Sequence, residues 1–197
     1  MDGRLAELLE DLYRHGREHD EAQADRLDRW RNVEPETARL LSVLVRALAP
    51  KRLLELGTSN GYSTIWLADA VRATGGTLTS VEIDPARAAE GRRNLRRAGL
   101  EHVVDLRIED AGVVLAAGAS ADWGFIFLDA ERPAYAGYWP DLVRVLEPGG
   151  LLVVDNVISH ADEVAEFRAL VADDDRVSEA VVPTGAGALL VVRERQR

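Results

Sequence analysis

The chain has 197 residues, 47% of them hydrophobic and 29% charged, a balance that suits a single globular domain over residues 1–197 with a sizeable core. Its 34 acidic residues outnumber 24 basic ones and leave a formal charge of −10, which argues against nucleic acid or an anionic membrane as partner. The absence of cysteine excludes disulfides, thiolate zinc sites and cysteine nucleophiles.

The polar, mixed-charge start lacks the apolar stretch of a signal peptide, and no run reaches membrane-spanning length, so a cytoplasmic protein is expected. Residues 1–50 read as a helical cap. "RLAELLEDLYRHGREH" places Leu5, Leu8, Leu9 and Leu12 on one stripe. "EPETARLLSVLVRAL" predicts a second helix, with Pro35 in its first turn and Leu40, Leu41, Leu44, Val45 and Leu48 facing inward; Pro50 marks its end.

From Lys51 to the end, residues 51–197, strand-like and helix-like runs alternate. "RLLELG", "TLTSVEID", "VVDLRIED", "WGFIFLD" and "GGLLVVDNVI" are separated by helical patterns, and "ADEVAEFRALVAD" follows as another helix. The last runs, "RVSEAVVPTG" and "GALLVVRER", meet through Gly185 and Gly187 with no helix between them. The expected fold is α/β: a doubly wound, mostly parallel seven-stranded sheet with an antiparallel C-terminal hairpin at one edge. The arginine-rich "GRRNLRRAG" reads as a solvated helix face.

The strand ends carry the chemistry. They read Glu55-Leu56-Gly57, Glu82-Ile83-Asp84, Glu109-Asp110, Asp129 and Asp155-Asn156. Ligands of open α/β sheets bind beyond the carboxyl ends of the strands, so these acids gather where a ligand is expected. Gly57 and Gly61 are spaced G-x-x-x-G, which is not the dinucleotide fingerprint, and the P-loop lysine is absent. Gly57 permits a tight turn, and Gly61 would let the backbone approach a ligand at a helix start. Glu82 is placed to accept from ribose hydroxyls. Asp110 is placed beside an adenine amino group, a position Glu109 fits equally well.

Asp129 and Asp155 have two readings. Each could cap a neighbouring helix. Together with the Asn156 amide oxygen, they also form an all-oxygen set suited to Mg²⁺, with Mn²⁺ or Ca²⁺ tolerated. Zinc has no support, because His15, His19, His102 and His160 lack ligand spacing.

"LELGTSNGYSTIWLA", "SVEIDP", "FIFLDA" and "LLVVDN", in that order, resemble the class I S-adenosylmethionine-dependent methyltransferases. Within that class they look like the cation-dependent O-methyltransferases of the catechol and caffeoyl-CoA type. The resemblance covers nearly all of the chain after Lys51. It implies a Rossmann-like fold, S-adenosylmethionine as cofactor, a divalent cation, a small hydroxylated acceptor and a homodimer. It assigns cofactor binding to Glu55, Gly57, Ser59, Gly61, Tyr62, Ser63, Glu82, Asp110, Ala111 and Asp129. The metal falls to Asp129, Asp155 and Asn156, and catalysis to Asp129 and Arg132.

Arg132 departs from the family pattern, which has a lysine three positions after the first metal-binding aspartate. Arginine stays protonated and cannot serve as a general base. Three outcomes stand: the cation acidifies the acceptor unaided, Glu131 or a metal-bound water takes the proton, or Arg132 binds an anionic group of the substrate. Tyr135, Tyr138 and Trp139 either stack on an aromatic acceptor or belong to the core, and Trp30 is expected near the ligand. Two other readings are a non-catalytic S-adenosylmethionine-binding protein of the same fold and a methyltransferase that works without metal.

Overall fold

A computed structural model describes residues 2–195. Two helices come first, α1 (Gly3–Ala22) and α2 (Pro35–Leu48). There follow β1 (Arg52–Leu56), α3 (Tyr62–Thr74), β2 (Thr77–Glu82), α4 (Pro85–Ala98), β3 (Val104–Ile108), α5 (Ala111–Ala117) and β4 (Trp123–Leu128). The chain continues through α6 (Tyr135–Val145), β5 (Leu146–Val154), α7 (Ala165–Ala172), β6 (Val177–Val182) and β7 (Ala188–Arg193).

The sheet order is β3-β2-β1-β4-β5-β7-β6. The first five strands run parallel, and β7 is antiparallel to both β5 and β6. The doubly wound sheet expected from the alternation is therefore present. The terminal hairpin is also there, but it folds back so that β7 sits inside the sheet and β6 forms the edge. The sequence shows why: "GALLVV" is a continuous apolar run, with Ala188, Leu189 and Val191 buried, whereas the middle of β6 faces solvent.

Two cores explain the apolar strands. Leu53, Phe125, Phe127 and Val153 face one way and pack with leucines of α1 and α2 and with α3. Leu54, Leu56, Ile126, Leu128 and Val154 face the other way and pack with α5, α6 and α7. Burial on both faces removes the polar alternation that a one-sided sheet would show. In α2 the inward stripe runs through Ala38, Leu41 and Val45. Leu40 and Leu44 are partly buried, and Leu48 is exposed rather than inward-facing. The predicted helix over "ADEVAEFRALVAD" begins only at Ala165, because the preceding residues are used in turns closed by His160 N–H to Asn156 O and Glu163 N–H to His160 O.

Register places the acids. Leu56 pairs with Val81 on β2 and with Leu128 on β4, which in turn pairs with Val154 on β5. The next residue of each strand falls in one row across the sheet: Glu82, Gly57, Asp129, Asp155. Neighbouring strands lie about 4.8 Å apart, so Asp129 and Asp155 are adjacent and Glu82 is separated from them by the glycine. The order reverses between β1 and β4, the switch point where such sheets open a crevice.

Candidate active site

A cavity of about 710 Å³ opens above this row. Its floor is the β1–α3 turn. Gly57 has φ 112°, and a Cβ there would lie 2.2 Å from the Asp129 carbonyl oxygen, so only glycine lets the ends of β1 and β4 close together. Gly61 has φ 86° and caps α3. A Cβ on it would meet the Gly91 backbone of α4 at 3.0 Å, so the contact that demands glycine is helix packing; its approach to a ligand is a separate matter.

Hydrogen bonds fix the loop around Glu82. One carboxylate oxygen accepts from Ser59 N–H at 2.8 Å and the other from Asp84 N–H at 3.0 Å. Ser59 in turn donates its hydroxyl to Trp30 O at 2.7 Å, tying the loop to the segment that leads into α2. Gly57, Ser59, Tyr62, Ser63 and Glu82 all line the cavity, as do Asp110 and Ala111 farther along. Asp110 also caps α5, accepting from Val113 N–H at 3.1 Å, and Glu109 shares the same wall.

Glu55 is placed differently. It lies under the cavity and is not part of its lining. Its two oxygens accept from the Ser63, Thr64 and Ser80 hydroxyls, each at 2.6 Å. Burial without a facing cation pushes its carboxyl up to about 7. Glu55 thus orients Ser63, which does reach the cavity.

Asp129, Asp155 and Asn156 converge. The Asn156 side-chain amide donates to Asp129 Oδ1 at 3.3 Å and to Asp155 Oδ2 at 3.1 Å. Asn156 holds a left-handed backbone, φ 67°, which asparagine tolerates better than most residues. Asp155 is 2% exposed, and its Oδ1 is buried without a hydrogen-bond partner. Desolvation raises both carboxyls. For Asp155 the charge of Asp129 adds to the rise, while Arg31 and Arg132 partly offset it for Asp129. Among the described residues, no group of three or more His, Cys, Asp or Glu converges as a metal site. The set here is two carboxylates and an amide.

The wall beside Asp129 is basic. Arg132 is 5% exposed and donates through Nε to Glu163 at 2.9 Å. Arg31 pairs with Glu131 at 2.6 Å, and Arg26 reaches Glu131 at 3.4 Å and Glu163 at 3.9 Å. Burial works to raise the Glu131 carboxyl, but its hydrogen bond to Arg31 and the charges of Arg31 and Arg26 hold it below the usual range. Partial burial, and then the charge of Arg132, lower the His160 ring, which lines the same wall. Trp30 and Tyr138 also line the cavity, whereas Tyr135 and Trp139 are core: Tyr135 donates to Ala130 O and Trp139 to Asp174. Sequence reasoning did not single out Arg26, Arg31 or Ile83. Ile83, 64% exposed beside Glu82, is an apolar side chain left open at the cavity rim.

Residues 5–194 match the O-methyltransferase family. The chain belongs to that family, whose members are class I S-adenosylmethionine-dependent enzymes. It is 38% identical over 130 residues to a catechol O-methyltransferase of Niastella koreensis, a match covering 64% of this chain and 58% of that relative. The matched stretch thus spans less than two thirds of the relative's own length. An O-methyltransferase from Bacillus cereus, solved in complex with SAH, superposes with TM-score 0.79 at 26% identity, covering 98% of this chain and 92% of that one. The O-methyltransferase TomG from Streptomyces achromogenes, solved with SAM and involved in tomaymycin synthesis, superposes with TM-score 0.80 at 26% identity, covering 99% and 91%. Among the described residues of this family member, no helix is long and apolar enough to cross a membrane.

Proposed function

We propose that the protein transfers the methyl group of S-adenosylmethionine to a hydroxyl of a small catechol-like acceptor, assisted by a divalent cation held by Asp129, Asp155 and Asn156. The observation that carries the cation is the orphaned Asp155 Oδ1, buried against a second carboxylate. Two adjacent buried carboxylates cannot both ionise cheaply without positive charge between them. An all-oxygen donor set suits Mg²⁺, and rotation of the Asn156 amide would present its oxygen in place of its NH₂. When bound, such a cation lowers the pKa of an acceptor hydroxyl, from about 10 for a free phenol, and fixes the hydroxyl's direction.

The chain's own residues supply the rest. Glu82, with both oxygens anchored by backbone N–H groups, keeps lone pairs for the ribose hydroxyls. Ser63, braced by Glu55, and the Gly57–Ser59 turn hold the methionine end. Ile83 and Ala111 flank the position for adenine, with Asp110 at its edge. Trp30 offers aromatic surface to the acceptor, while Tyr138 lies beside Gly112 and Asp110 at the adenine end. Orientation of the two reactants is the main contribution asked of this scaffold. Arg132 stays protonated and contributes charge, not base catalysis. A homodimer remains part of this reading, supported by exposed Val43 and Leu48 on α2.

The test is methyl transfer from S-adenosylmethionine to catechol with Mg²⁺ and with a chelator. Transfer that disappears with the chelator and returns with Mg²⁺ supports the reading. Transfer indifferent to the chelator assigns the protein to metal-independent chemistry. Cofactor binding without turnover on any hydroxylated acceptor favours the non-catalytic alternative, which the arginine at position 132 makes worth separating.

A further inference from the structure

We infer that the acceptor carries a carboxylate, and that Arg26, Arg31 and Arg132 form the subsite that selects it. This deepens the proposed methyl transfer and rests on it. The argument begins with charge. Three guanidinium groups meet two carboxylates, Glu131 and Glu163, at the wall beside Asp129. With Asp129 and Asp155 taken up by the proposed cation, three guanidiniums against two carboxylates leave one positive charge in excess. Arg26, Arg31 and Arg132 line the same cavity as Asp129, Asp155 and Asn156, which places them next to the methyl-acceptor position proposed above.

The second observation is how Arg132 is bound. It is almost fully buried, yet its hydrogen bond is through Nε alone, and its terminal amino groups have no acceptor among the described residues. A buried guanidinium normally has its fork filled, because its donors match a carboxylate geometrically. Arg132 lines the cavity, so the open side of that fork is available to a ligand.

The third is backbone strain built to present Arg31. This residue sits at φ 53°, a conformation that costs a non-glycine residue free energy unless its surroundings enforce it. Asp20 enforces it: its two oxygens accept from Trp30 N–H at 2.7 Å and Arg31 N–H at 2.8 Å. His19 stacks on Trp30 with ring centroids 3.9 Å apart. The end of α1 thus clamps a turn whose two side chains, one aromatic and one cationic, both line the cavity. A flat hydroxylated ring with an acidic substituent matches that pair. Arg26 is 46% exposed and its contacts to the glutamates are long, so it can exchange them for a ligand at small cost.

Three catechols of similar size separate the possibilities: 3,4-dihydroxybenzoate, neutral 4-methylcatechol and cationic 3,4-dihydroxybenzylamine. Each is measured for kcat/KM with S-adenosylmethionine and Mg²⁺, and for calorimetric affinity with S-adenosylhomocysteine and Mg²⁺. The acid is expected to exceed the neutral ring by about tenfold or more, with the amine lowest. The acid-to-neutral ratio should fall by about tenfold in Arg31→Ala and further in the Arg26→Ala/Arg31→Ala double variant. Glu131→Gln removes a competing carboxylate and should raise the ratio, a gain that misfolding cannot mimic. A ratio near one in the unmodified protein, or one indifferent to all three variants, overturns the inference and leaves methyl transfer standing. If none of the three catechols binds or reacts, the methyl-transfer reading falls and takes the carboxylate subsite with it.

Discussion

At Asp155, stability and the proposed cation chemistry make opposite demands. Its carboxylate is buried, its Oδ1 has no partner, and Asp129 stands beside it. Replacing such a buried, incompletely partnered acid with a neutral isostere relieves desolvation and its repulsion with Asp129. Asp155→Asn is therefore expected to raise the midpoint of denaturant unfolding in the presence of chelator. The same change removes a ligand of the proposed cation and should cut methyl transfer by about a hundredfold or more. It should also abolish any stabilisation of the protein by Mg²⁺. A helix-capping role predicts the reverse pattern, with lower stability and Mg²⁺ indifferent in both proteins. The hydrogen bonds favour the first account: Asp155 Oδ2 accepts from the Asn156 side chain, and the unpartnered Oδ1 makes no capping bond.

Among the elements, β1 and its turn do most to assemble the site. Parallel register brings Glu82, Gly57, Asp129 and Asp155 into one row, and the glycine is the gap between the acid proposed to bind the sugar and the pair proposed to bind a cation. Gly57→Ala would place a methyl group against the Asp129 carbonyl, in a backbone conformation that alanine strongly disfavours. The expected loss is about 2–4 kcal/mol of stability, read by urea unfolding, with weakened S-adenosylhomocysteine binding by calorimetry. Unchanged values for both would mean that the strand ends adjust freely. The strands themselves were legible because both faces are buried, which writes continuous apolar runs ended by acids. What the sequence concealed is non-local. Glu55 shares the face of the other acids but lies two residues below the row, at the depth where three hydroxyls cover it. Arg26 and Arg31 lie in a polar, irregular stretch, and their value comes from Glu131 and Glu163, a hundred or more residues away. The Trp30–Arg31 turn is likewise set by Asp20 on another element. The hairpin was readable as a hairpin, but which of its strands lies inside depends on the burial of Leu189 and Val191 against the second core.

Over the whole molecule, Glu55 links proton binding to folding. Its carboxyl is raised from 4.5 to about 7, because burial outweighs the hydrogen bonds from Ser63, Ser80 and Thr64. Between those two values the native state holds a proton that the unfolded chain has released. Stability must then fall as pH rises through that window, being fully present below about 4.5 and lost above about 7. The contribution is on the order of 3 kcal/mol, since a tenfold change in proton affinity between the two states is worth about 1.4 kcal/mol. Asp129 and Asp155 are also raised and push in the same direction, so the measurement has to be a difference between proteins. Glu55→Gln keeps the shape and removes the titration. In chelator, its melting temperature is expected to decline less steeply than that of the unmodified protein from pH 5 to pH 7.5, the two curves diverging as the unmodified protein loses its bound proton. Parallel curves would show that Glu55 is ionised throughout, and that the three hydroxyls alone compensate its charge.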